Sequence, residues 1–466
     1  MIFSSYPFLL QLLPLVWVSF LLCRRWGMTS AAVAVLLCGS TIFYLSWSWH
    51  DGALLLASIV LNHALGRCQQ ARPSRRWLIL AIVGNLSLLL YYKYAGFLLG
   101  FLPQAVHWQW ALPLGISFFT FQQMAWHVDL YQRRPGTTSG LARYALFVLF
   151  FPQLIAGPIV HARNILPRLR AGWLGRPLPW TLGVTLLCMG LAKKVLLADS
   201  IAPGVDRLFG AAASGQALNA VEVLTAAFGY GLQLYFDFSG YGDMAVGLGL
   251  MFGIRLPTNF RAPYRSSSIV DFWRRWHITL SAFLRDYLYV PLGGGHSGRL
   301  RQAFNLMLTM LLGGLWHGAG WQFVLWGGIH GLLLGAAHAW RRAFPPLPAP
   351  LGLALTTAAV MLVWIPFRAN SLAVAMNMYR GLLDWSGPSL TAPASLVQEL
   401  PRLELVTSLP WALPVLLVLS MYGRTALQHC LALRDGARGL LAGGLLILVL
   451  KTLAERPDRA FLYFNF

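Results

Sequence analysis

The sequence predicts an all-helical protein that crosses a membrane many times. Three observations carry that expectation. Of 466 residues, 57% are hydrophobic and only 11% charged, against about a quarter charged in a typical soluble domain, which leaves too little polar surface to face water. Apolar runs near the ~20 residues needed to span a bilayer recur from end to end. Lysine and arginine, which give the chain its formal net charge of +21, gather at the ends of those runs as they do in multi-span proteins.

The first run lies in MIFSSYPFLLQLLPLVWVSFLLCRRW. It has no basic leader and no small-residue cleavage site before Arg24 and Arg25, so we expect a retained first helix with its N-terminus outside. Further runs begin near Ala31, Ala53, Leu78, Leu112, Tyr144, Leu182, Val221, Phe304, Phe323, Leu351, Leu413 and Leu440. Some of these should be re-entrant or interfacial, which leaves roughly 11 crossings by the length rule. Arg24 and Arg25 place the first loop in the cytoplasm, Trp47 to His50 outside, and the basic loop from Arg67 to Arg76 inside again.

That alternation falters at Tyr144 to Val160. Arg133, Arg134 and Arg143 precede it, Arg163, Arg168, Arg170 and Arg176 follow it, and Pro152, Gly157 and Pro158 interrupt it. The stretch FFPQLIAGPI therefore reads as a re-entrant hairpin that walls a cytoplasmic funnel, since irregular backbone at membrane depth survives only inside protein or beside a cavity. From Tyr230 the chain places Asp237 and Asp243 among aromatics and glycines. Carboxylates at that depth call for an arginine or a hydroxyl partner, or else for a polar cavity. The proline-rich link Ala343 to Pro350 precedes a C-terminal group of helices, and Asp384 to Pro410, with Glu399 and Glu404, reads as an external loop. No internal repeat and no soluble second domain are apparent. We expect one membrane domain over residues 1–466, with N-terminal helices at 1–131, a core at 132–342 and C-terminal helices at 351–466.

Several function classes are excluded. The basic charge has the positive-inside explanation, so nucleic acid is not an expected partner. The five cysteines are scattered through or beside apolar runs without a CxxC pair or metal spacing. There is no HExxH, no GxSxG elbow, no Walker loop and no dinucleotide fingerprint, so neither a metal nor a resident cofactor is expected.

What chemistry the sequence offers lies between Asp271 and Gly318. DFWRRWHITLSAFLRDYLYVPLGGG and GGLWHGAG place His277 and His317 forty positions apart, each preceded by a tryptophan, Trp276 and Trp316. Read as one helix, Trp273, Trp276, Leu280, Phe283, Leu284 and Tyr287 form an apolar stripe that includes His277. Asp271, Arg275, Thr279 and Asp286 line the other side. His317 then falls deep in an apolar run, where an ionisable side chain needs a reason. A neutral imidazole, with an ordinary pKa of about 6.5, could take a proton from a hydroxyl attacking an activated acyl group. From the residues alone, a structural histidine is the open alternative. His330 lies thirteen positions beyond His317, about 220° around an ideal helix, and is expected to face elsewhere as a packed core histidine. The same default covers His50, His63, His107, His127, His161, His296, His338 and His429.

At this point WRRWHITLSAFLRDYLYVPLGG, LWHGAGWQFVLWGGIHG, YFDFSGYGDMAVGLG, FFPQLIAGPI, the opening FSSYPFL and the closing FLYFNF together resemble the membrane-bound O-acyltransferases, specifically their bacterial alginate O-acetyltransferase branch. The resemblance spans nearly the whole chain. It implies a helical membrane enzyme with a cytoplasmic funnel meeting an opposing cavity, acetyl-CoA or another cytoplasmic thioester as donor, and an exported polysaccharide or a periplasmic acetyltransferase as acceptor. By motif, His317 corresponds to the family's essential histidine and His277 to its second. We expect His317 to accept the hydroxyl proton, His277 to orient the acyl group, and Arg274 to attract the donor's pyrophosphate. Trp276, Trp316, Asp237 and Asp243 are further candidates for binding substrate or donor. Three rivals stand beside this expectation: a sibling that moves D-alanine to a cell-wall polymer, a proton-coupled transporter relaying through His277, His317, Asp237 and Asp243, and a structural subunit of a synthase.

Overall fold

A computed structural model describes residues 1–466 except 101–110, 171, 297, 387–408, 457–458 and 466. His107 and the polar stretch with Glu399 and Glu404 therefore lie outside the described residues. Among those described, regular structure is helical throughout. The principal helices are α1 (Pro7–Arg25), α2 (Thr29–Leu45), α3 (Trp49–Ala71), α4 (Arg75–Leu99), α5 (Ile116–Tyr131), α6 (Leu141–Leu149), α7 (Trp180–Ala213) and α8 (Ala220–Met251). They continue as α9 (Ile269–Arg275), α10 (Ile278–Leu284), α11 (Arg299–His317), α12 (Trp321–Ala343), α13 (Ala349–Arg368), α14 (Leu372–Gly381), α15 (Leu409–Tyr422) and α16 (Asp435–Glu455).

By length and composition, six of them can cross a membrane: α1, α4, α7, α12, α13 and α16. Shorter apolar helices add Thr29–Leu45 and Ala412–Tyr422. The roughly 11 crossings expected exceed those six. Helices α3, α8 and α11 are as long, but Asp51 and Arg67, Glu222, Asp237 and Asp243, and Arg299 and Arg301 dilute their apolar character. The spans leave apolar faces uncovered, as lipid requires: Leu15 is 65% exposed, Leu440 82% and Ile447 68%. This is a multi-pass membrane protein.

Packing divides the chain into two units that interleave in sequence. The first comprises Met1–Leu191, Tyr241–Thr258 and His429–Asn465, and the second Ala192–Gly240 and Asn259–Gln428. Helices α7 and α8 are each divided between the units, α7 after Leu191 and α8 after Gly240, with the longer part of both in the second.

Within the first unit, small residues let backbones approach. A Cβ on Gly183 of α7 would lie 2.8 Å from the Gly247 carbonyl of α8, and one on Gly247 2.6 Å from that of Gly183, the close contact that drives helix association where no hydrophobic gradient exists. A buried polar network ties α3 to α6. His127 bonds Gln69 Oε1 and Asn62 Oδ1, both at 3.1 Å, and Asn85 Nδ2 donates to Asn62 Oδ1 at 2.7 Å. Gln123 donates to Ser58 Oγ at 2.9 Å, and the Tyr144 hydroxyl donates to Gln123 Oε1 at 3.1 Å. His127 is thus a buried core histidine with an amide oxygen at each ring nitrogen, whereas His50, His296 and His429, given the same expectation, are exposed at chain turns and helix ends. The helix break expected around Pro152 is present: α6 ends at Leu149, one turn follows at Phe151–Leu154, and residues 146–160 are buried throughout. Irregular backbone here is enclosed by protein, as membrane depth demands.

Candidate functional site

The second unit holds both tryptophan–histidine pairs. Its foundation is the hairpin of α11 and α12, joined by Gly318 to Gly320. A Cβ on Gly314 would fall on the Phe323 carbonyl, and one on Gly327 on the Met310 carbonyl, so these two helices touch backbone to backbone only because glycine stands at both places. A Cβ on Gly318 would run into the Phe323 ring. This tight turn ends α11 on His317 and starts α12 at Trp321.

His317 is 6% exposed and sits among aromatic edges. The rings of Trp316, Trp326 and Phe367 lie 4.8, 5.0 and 5.0 Å from it, all near perpendicular. It faces the interior of its unit, away from lipid. His277 is 1% exposed and also neighbours Trp316, with centroids 6.3 Å apart. The two histidines that lie forty positions apart in sequence therefore share one indole.

The local structure around His277 departs from the single helix expected. Helix α9 stops at Arg275, His277 adopts left-handed backbone with φ 41°, and α10 restarts at Ile278. A non-glycine residue in that region costs of order 1–3 kcal/mol and persists only where its surroundings hold it. The segment 259–261 supplies the hold: Ile278 N–H donates to the Asn259 carbonyl at 2.9 Å, and Arg261 N–H to the Arg275 carbonyl at 3.0 Å. The break also turns Thr279, expected on the polar side, inward to 7% exposure.

Asn259 fixes the chemistry of His277. Its Oδ1 accepts from Thr279 N–H at 3.2 Å and Thr279 Oγ1 at 3.0 Å, and contacts His277 Nδ1 at 3.1 Å. A backbone N–H can only donate, so the atom facing it is the amide oxygen, and His277 Nδ1 must carry the proton. In a neutral ring, Nε2 then presents its lone pair. Sequence reasoning missed Asn259, which lies in a loop with no motif of its own. The edge of Phe238, 4.8 Å away and perpendicular, completes the seat of the His277 ring.

The remaining candidates separate. Trp276 is buried and packs against Trp364 and Phe272, 4.9 and 5.6 Å away. Arg274 is exposed at the end of α9. Asp237 is 2% exposed and pairs with Lys194 at 2.9 Å, whose ammonium also meets Asp199 at 2.7 Å. Lys194 comes from α7, a lysine where the expectation named an arginine or a hydroxyl. The sequence signal was available: Lys193 and Lys194 interrupt an apolar run, where a cation must find a carboxylate. Asp243, half-buried on α8, belongs to the first unit.

Residues 3–367 match the model of MBOAT, the membrane-bound O-acyltransferase family. The chain belongs to that family and is an acyltransferase. It is 40% identical to the peptidoglycan O-acetyltransferase of Helicobacter pylori over 76% of this chain and 74% of that one. To the probable alginate O-acetylase AlgI of Azotobacter vinelandii it is 40% identical over 83% and 79%. To the teichoic acid D-alanyltransferase of Bacillus subtilis it is 29% identical, over 51% of this chain and 62% of that one.

Proposed function

We propose that this chain is an O-acetyltransferase of the bacterial inner membrane. It moves acetyl from a cytoplasmic thioester, acetyl-CoA, to a hydroxyl of an exported polysaccharide, directly or through a periplasmic acetyltransferase. The observation that carries this reading is the pair of buried histidines that share Trp316 as a ring neighbour in a member of an acyltransferase family. His317 takes the hydroxyl proton as the acceptor oxygen attacks the acyl carbon. The C–O bond forms, the C–S bond breaks, and the departing thiolate recovers a proton from His317. His277, with its Nδ1–H tied to Asn259, holds a fixed tautomer and steers the acyl group. Arg274, exposed and basic, receives the donor's phosphates.

Relatives named for O-acetylation share 38–40% identity across about four-fifths of the chain. Those named for D-alanyl transfer share 27–29% over about half of it. That contrast favours acetate over D-alanine as the group moved. Mild alkaline release of the ester acids from polymer of wild-type and deletion strains tests the choice. Acetate that disappears with the gene supports the reading, whereas D-alanine in its place overturns it. A transporter predicts substrate movement without any acyl donor, and no ester formed in reconstituted vesicles.

A further inference from the structure

His330 is fully buried, at 0% exposure, and among the described residues neither of its ring nitrogens has a hydrogen-bond partner. An orphaned buried polar group carries a desolvation cost and needs an explanation. The expectation that it faces away from His317 assumed one continuous helix. The chain instead turns at Gly318 to Gly320, and α12 brings His330 back beside the site.

The Trp326 ring neighbours both imidazoles, steeply inclined to each, 5.0 Å from His317 and 4.7 Å from His330. Trp273 of α9 lies 5.0 Å from His330 on another side. The indole nitrogens of Trp326 and Trp273 are likewise buried without a hydrogen-bond partner among the described residues. Two N–H donors and an imidazole that can both donate and accept thus cluster one ring away from His317. Such a set fits an oxygen-bearing ligand.

Position says which substrate. His330 is four residues past Trp326 on α12, about 6 Å along the axis, and lies on the side leading to Arg341 and Arg342. Arg341 donates to the hydroxyl of Ser268, which caps α9, at 3.3 Å, so the basic end of α12 meets the start of α9. Under the positive-inside rule that end is cytoplasmic.

We propose that His330, with the indole N–H groups of Trp273 and Trp326, forms a donor-side subsite that holds a carbonyl or amide oxygen of the thioester arm as its acyl end reaches His317. The proposal rests on the acyl-transfer reading above and adds the residues that bind the donor's uncharged arm.

The test is His330→Phe against His330→Gln in full-length protein in proteoliposomes, with acetyl-CoA as the varied substrate. Phenylalanine keeps the ring that lies parallel to Phe272 and removes the orphaned nitrogens, so His330→Phe should unfold at the same temperature or higher. The acetyl-CoA KM should nevertheless rise roughly tenfold or more, the worth of a buried hydrogen bond, with kcat within about threefold. His330→Gln, which keeps a donor and an acceptor, should recover most of that loss. Unchanged KM in His330→Phe overturns the subsite, as does an equal loss in both variants with a lowered unfolding temperature, which marks a packing role. A wild type that transfers nothing from acetyl-CoA sinks the donor reading itself and the subsite with it.

Discussion

At the level of single residues, the site is a set of aromatic edges that hold two imidazoles in place. His317→Ala should lower acetyl transfer by ~10²- to 10⁴-fold, the usual cost of a lost general base, with the protein still recovered from detergent as a monodisperse species. Near-normal polymer acetylation in that variant would remove His317 from the mechanism. Asn259→Ala frees the His277 ring to choose either tautomer and withdraws the acceptor for Thr279. Loss of this buried hydrogen-bonded group should destabilise the protein by about 1–3 kcal/mol and lower kcat more than it raises KM, as expected of a positioning residue; equal kcat in the variant would refute that role. Both histidines were legible as WH pairs in the sequence. Asn259 was not, because its importance comes from one oxygen reached by three donors from another segment.

Among elements, charge and close packing divide the work. The ammonium of Lys194 holds two carboxylates, Asp199 and Asp237, inside the second unit. Lys194→Met should therefore cost several kcal/mol, in the range of ~3–5 kcal/mol for breaking a buried pair. Adding Asp237→Asn should recover part of that loss, and thermal unfolding of the single and double variants in detergent measures it. A single variant as stable as the parent would show the pair to be dispensable. At the α11–α12 hairpin, Gly327→Leu places a side chain against the Met310 carbonyl, so the helices must separate and His317 must move relative to Trp326. Activity should fall to background even in any fraction that folds; retained transfer would mean that the hairpin's spacing does not set the site. The run GGLWHGAGW made a tight turn legible, but the facing partners of each glycine are set by packing.

For the whole molecule, the charge pattern sets orientation. Cysteines placed at the exposed positions Met28 and Trp49, in a background without native cysteine, should be labelled by an impermeant reagent from the cytoplasmic and the outer face respectively. The reverse pattern would invert the assigned direction of acyl transfer. Packing gathers residues from both ends of the chain into the first unit, because helices choose neighbours by matching surfaces and not by their order along the chain.

The sequence by itself determined the membrane, the helices, the family resemblance and the two histidines, since hydrophobic run length, basic flanks and short motifs are local properties of a chain. Only the tertiary structure decided that those histidines share one indole as a neighbour, that His277 sits at a helix break with its tautomer fixed by Asn259, that Lys194 answers Asp237, and that His330 turns back toward His317. Each of these depends on where separate segments meet. A helical period measured along the chain loses its meaning once a glycine turn reverses the backbone.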